Sequence, residues 1–122
     1  MKYLLDSVIL IDHFNGVAAA TAFLGRHGAD SAVSVITRAE VLAGFGDDSV
    51  LLATGLLDTF PTLPMTTEIA DKAARLRRSA RWKLPDAIQA AIARAHGLML
   101  VTRNTRDFQP GGDPEVLIPY RL

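Results

Sequence analysis

Apolar positions along this chain follow two patterns, short unbroken runs and longer stretches in which they recur every three or four residues. Residues 2–5 (KYLL) form the first short run and read as a buried strand, with a turn or helix opening over 7–14. AAATAFLGRHG, 18–28, reads as a helix with Gly28 as its C-terminal stop. SAVSVI, 31–36, is short and rich in β-branched residues, so a strand is expected there. In TRAEVLAGFG, which follows, Thr37 and Glu40 have the spacing of a capping box and predict a helix start. A helical segment over 49–60 leads to PTLP, whose prolines permit at most a short edge strand.

From Thr67 the apolar residues Ile69, Ala73, Leu76 and Ala80 keep helical spacing up to the KLP break at 83–85. Pro85 suits the first turn of another helix, in which Ile88, Ala91, Ile92 and Ala95 make a buried stripe ending at Gly97. LMLVT, 98–102, has the length and continuity of a central parallel strand, and VLIPY, 116–120, offers a last one. Strands alternating with helices imply an α/β fold, a mostly parallel sheet with helices on both faces.

Composition narrows the functions open to such a fold. At 122 residues and 49% apolar content the chain is expected to form a single domain over 1–122. It contains no Cys, which excludes a disulfide framework, a thiol nucleophile and a thiolate zinc site. Thirteen basic and thirteen acidic residues balance, so any attraction to nucleic acid must come from local patches. No apolar run approaches a membrane span or a signal peptide, and a cytoplasmic protein is expected.

Acidic residues then stand out by position. Asp6 ends the first expected strand, Glu40 lies in the first turn of the helix after the second, Asp86 opens a helix, and Asp107 follows LMLVT. Ligands bind open α/β sheets at the carboxyl ends of the strands, where all four acids could converge. Singly, each has a structural explanation: Asp6 or Ser7 as a cap, Glu40 as the return half of the capping box, Asp86 at a helix dipole, Asp107 in a turn. Together they would repel one another strongly unless a cation or a large upward pKa shift intervened. Oxygen ligands without His or Cys suit Mg²⁺ or Mn²⁺.

With LLDSVILID, TRAEVLAG, LPDAIQAAIARAHG and LMLVTRNTRDF in this order, the chain resembles the PIN-domain nucleases, specifically the VapC toxins of VapBC toxin–antitoxin pairs. The resemblance runs from Met1 nearly to Leu122. It implies a three-layer α/β/α sandwich and a metal-dependent endoribonuclease whose acidic quartet holds one or two divalent ions. Asp6, Glu40 and Asp86 match the quartet by motif position, and Ser7 matches a small hydroxyl residue that helps to order the site. The fourth position falls at Asn104 or Asp107; Asp107 is taken as the acid and Asn104 as its hydrogen-bonding neighbour. The implied partners are an RNA substrate, a VapB-type antitoxin and a second copy of the chain.

Outside the acids, KAARLRRSARWK, 72–83, carries six basic residues and no acid. Arg75 with Arg78, or Arg77 with Arg81, shares a helix face that could track an RNA backbone or simply be solvated. Arg103 and Arg106 could hold phosphate, with salt bridges to nearby acids as the equal alternative. Trp82 could stack on a base but more ordinarily packs on the core. His13, His27 and His96 are scattered without a second ligand at metal spacing. In VLLATGLL, 50–57, apolar residues cover more than one helical face, as where a helix meets both its own core and a partner. Rival functions are a PIN-like domain without activity and a receiver-like signalling module. The latter needs adjacent acids after the first strand and a late Lys, whereas this chain has Asp6 alone and no Lys beyond Lys83.

Overall fold

The computed structural model describes residues 1–122. Its elements alternate as the periodicity predicts: β1 (Tyr3–Leu5), α1 (Ser7–Phe14), α2 (Ala18–His27), β2 (Ser31–Ser34), α3 (Val35–Ala43), α4 (Val50–Leu57), β3 (Thr62–Leu63), α5 (Thr67–Ala80), α6 (Leu84–His96), β4 (Met99–Val101) and β5 (Val116–Leu117). The five strands form one sheet in the order β3-β2-β1-β4-β5, and all four pairings are parallel. β1 is central, with Tyr3 in register with Ser31 on one side and Met99 on the other.

Side-chain alternation along the strands makes the three layers. Leu4, Ala32 and Leu100 point into one cluster with Ile69, Ala73, Ile88 and Ile92 of α5 and α6. Tyr3, Leu5, Val33 and Val101 point into the other, with Ile9, Leu10, Phe23, Val41 and Leu57 of α1 to α4. Leu4, Leu5 and Leu100 are fully buried, and each such side chain contributes about 1.5–3 kcal/mol. In α6, Ala87 through Ala93 are all buried, and Gln89 is the one polar side chain among them.

Two boundaries differ from the sequence reading, the end of β2 and the start of α3. β2 ends at Ser34 and α3 begins at Val35, because Ser34, not Thr37, is the N-cap: its Oγ accepts from the Thr37 N–H at 3.0 Å. The Thr37–Glu40 capping box is therefore absent, and the buried Thr37 hydroxyl instead donates to the Leu5 carbonyl at 3.0 Å. α2 ends at His27 with Gly28 as its C-cap, as expected, although Gly28 is right-handed and begins a short 3₁₀ turn, Gly28–Asp30. Gly97 does take the left-handed conformation at the end of α6, at φ +64°. α5 stops at Arg81, which is left-handed at φ +60° although it carries a Cβ. No single helix is long and apolar enough to cross a membrane.

Candidate active site

The parallel sheet places the carboxyl ends of β1, β2 and β4 on one edge, and each is followed by polar chemistry. Asp6 leaves β1 in extended conformation and is the N-cap of α1: its Oδ1 accepts from the Ser7 N–H at 2.8 Å. Its Oδ2 accepts from the Thr102 hydroxyl, just beyond β4, at 2.7 Å. Capping and site membership are thus compatible in one residue. Glu40 lies in the second turn of α3, not the first as the sequence suggested, and Asp86 lies in the first turn of α6 behind Pro85. Asp107 is held by Asn104, whose Nδ2 donates to Asp107 Oδ2 at 3.0 Å and whose Oδ1 accepts from the Asp107 N–H at 3.2 Å. Trp82 packs against Phe108, and its indole N–H donates to the Asp107 carbonyl at 2.9 Å, tying the α5–α6 junction to the same loop.

Electrostatics shows that these acids share a field. Desolvation, then the charges of Asp6, Asp107 and Glu40, push the Asp86 carboxyl up to about 6, against a smaller downward pull from Lys83. Glu40 is also raised, first by desolvation and then by the charge of Asp6, while the nearby Ser7 side chain opposes the rise. Glu40 is an exposed residue. The structure therefore brings Asp6, Glu40, Asp86, Asp107, Ser7 and Asn104 into one neighbourhood.

The donor set fits a hard divalent cation, since the converging groups are carboxylates and no imidazole lies among them. His13 bonds Thr21, and His27 stacks on Tyr3 and Phe23. No three Asp, Glu or His side chains stand close enough to ligate one ion directly.

The basic candidates fall into two groups, those of α5 and Arg103 after β4. Arg75 lines a cleft of about 330 Å³ between α5 and α6, together with Lys72, Ser79 and Arg94. Arg75, Arg78 and Arg81 are exposed. Arg103 pairs with Asp12, its Nε and Nη2 lying 2.8 and 3.0 Å from the two carboxylate oxygens. The Tyr120 hydroxyl donates to the same carboxylate at 2.8 Å. Hydrogen bonding to Arg103 holds the Asp12 carboxyl below its ordinary range. On α4, Ala53 and Leu57 are buried while Leu51 and Leu52 are 79% and 69% exposed, so the helix does present a second apolar face.

Sequence reading missed Asp12, Ser34, Thr37, Gln89, Thr102 and Tyr120 as polar residues around the site. Thr102 and Gln89 had a usable signal, a polar residue inside an otherwise apolar buried run.

A three-layer α/β/α sandwich with its acids gathered at the carboxyl ends of parallel strands defines a class of acid-site α/β proteins. This chain belongs to the PIN domain family, whose model matches residues 3–110. It is 37% identical over 112 residues to ribonuclease VapC10 of Mycobacterium tuberculosis, covering 86% of this chain and 84% of that one. A toxin–antitoxin complex from Klebsiella pneumoniae contains a chain 38% identical, at a TM-score of 0.88 over 99% of this chain and 100% of that one. The DNA-bound VapBC complex of Salmonella typhimurium shares the fold at a TM-score of 0.80 and 20% identity, over 96% of this chain and 97% of that one.

Proposed function

We infer that this protein is a metal-dependent endoribonuclease and the toxin of a type II toxin–antitoxin pair, acting from one domain over residues 1–122 in the cytoplasm. The observation that carries the site assignment is the upward push on Asp86 by Asp6, Asp107 and Glu40. Asp86 feels the charge of acids on three other segments, at the strand edge where a PIN-domain ribonuclease would need its metal. The ribonuclease and toxin–antitoxin relatives supply the substrate and partner classes. The exposed Leu51 and Leu52 of α4 offer an apolar surface for a VapB-type antitoxin or a second copy.

Asp6, Glu40, Asp86 and Asp107 would hold Mg²⁺ or Mn²⁺. Such an ion, when bound, supplies an acidified water and charge neutralisation at phosphate and leaving oxygens. The chain's own residues prepare the place for it. Thr102 and the Ser7 N–H orient the two oxygens of Asp6, and Asn104 holds Asp107. Arg75, Arg78 and Arg81 would attract the RNA backbone along α5, whereas Arg103 acts chiefly through Asp12. The inactive alternative lacks a specific observation in its favour, since Asn104 supports Asp107 rather than leaving an acid missing.

The test is cleavage of RNA by the purified chain freed of antitoxin, with Mg²⁺ or Mn²⁺, and its arrest by EDTA. Asp6→Asn and Asp86→Asn should each reduce cleavage by at least a hundredfold with the far-UV spectrum unchanged. Cleavage surviving both substitutions, or persisting in EDTA, overturns the assignment.

A further inference from the structure

Resting on the metal-site reading above, we propose that Gln89 is a positioning residue that sets the spacing of Asp6, Glu40 and Asp86 through a buried hydrogen-bonded link to Thr37 and Ser34. Gln89 follows Asp86 by one helical turn on α6, and Thr37 precedes Glu40 by one turn on α3. Each acid-bearing helix thus presents, on the same face as its acid, one partner of the link. Gln89 Nε2 donates to Thr37 Oγ1 at 2.7 Å, and Gln89 Oε1 accepts from Ser34 Oγ at 2.6 Å. Thr37 Oγ1 passes the connection on to the Leu5 carbonyl at 3.0 Å, the peptide immediately before Asp6. A longer contact, 3.5 Å, runs from Gln89 Nε2 to Asp6 Oδ1.

The link joins the two helical layers. α6 packs on one face of the sheet through Ile88 and Ile92, whereas α3 sends Val41 into the core on the other. Gln89 is 1% exposed, and Ser34 and Thr37 are fully buried. No polar side-chain atom buried in the molecule lacks a partner, so the network is complete. An aliphatic residue at 89 would continue the apolar face of α6 with no amide to desolvate. A fully satisfied buried network restricts its members to one arrangement, and a metal site tolerates errors of only about half an ångström. Among the acids, Gln89 contacts Asp6 alone.

Calorimetric titration of the metal-free chain with Mn²⁺ tests this, using Gln89→Leu, Thr37→Val, their double variant, and Ile92→Val as a control for lost stability. Ile92 is fully buried one turn further along α6 and outside the network. Each single network variant should bind Mn²⁺ at least tenfold more weakly than the parent. The double variant should be no worse than the weaker single one, because both cut one link, and Ile92→Val should bind as the parent does despite a lower melting temperature. Parent-like Mn²⁺ affinity in Gln89→Leu or Thr37→Val, or an equal loss in Ile92→Val, overturns the proposal. Should Gln89→Leu fail to fold, the nearly isosteric Thr37→Val decides alone. A parent that binds no Mn²⁺ overturns the metal site itself, and this inference with it, a result distinct from parent-like variants.

Discussion

At Asp86 one carboxyl has desolvation and three negative neighbours working against its charge, with only Lys83 opposing. The sign of the consequence follows from linkage. Folded, the group binds its proton more tightly than at its ordinary value of 3.8, so between 3.8 and about 6 the folded state carries the extra proton. Raising the pH through that window therefore destabilises the metal-free chain. Asp86→Asn should remove this dependence and raise metal-free stability at pH 7, on the order of 1 kcal/mol after allowing for solvent screening. Chemical denaturation at pH 4.5 and pH 7 in EDTA checks both points; a less stable Asn variant at pH 7 would argue against crowded acids. The same Asp86 illustrates the limit of sequence reading. Its place at a helix start was legible from Pro85, but a helix dipole explains an acid there equally well until the other three acids are seen beside it.

Between elements, the Asp12–Arg103–Tyr120 clasp joins α1 to the segment after β4 and to the C-terminal tail. Asp12 is 5% exposed, so it relies on these partners to remain ionised. Arg103→Met should cost about 2–4 kcal/mol at pH 7, because it leaves a buried carboxylate with Tyr120 alone. The Asp12 carboxyl is held low, so its stabilisation is complete above 3.8 and is lost as the pH falls below that through the folded value. The parent and Arg103→Met should therefore converge in acid, measured by urea unfolding at pH 7 and pH 3. An equal difference at both pH values would show that packing of the Arg stem, not the ion pair, is responsible. Sequence could list Asp12 and Arg103 but could not pair residues so far apart in the chain. It misjudged the α3 start for a related reason. Val35 and Ile36 have strand-like side chains, and only the bond from the Thr37 N–H to Ser34 Oγ reveals that the helix has already begun.

For the whole molecule, folding gathers negative charge around Asp86, so a divalent cation bound there as proposed would be thermodynamically linked to the fold. Mn²⁺ at a hundred times its dissociation constant should stabilise the parent by about 2.7 kcal/mol. A melting curve with and without Mn²⁺ should show that rise in the parent and little of it in Asp86→Asn. An equal rise in both would place the bound ion elsewhere. Sequence by itself determined the alternation of strands and helices, the helix from Thr67 to Ala80, and the Pro85 start and Gly97 stop of α6, and it limited PTLP to a short edge strand at most. These features follow from hydrophobic period and backbone stereochemistry, which act over a few residues. Only the tertiary structure decided that Asp6, Glu40, Asp86 and Asp107 share one electrostatic field, that Arg103 faces Asp12, and that Gln89 bridges two helical layers. Those relations depend on parallel pairing of strands far apart in sequence, and charge and hydrogen bonding act through the distance between atoms, not along the chain.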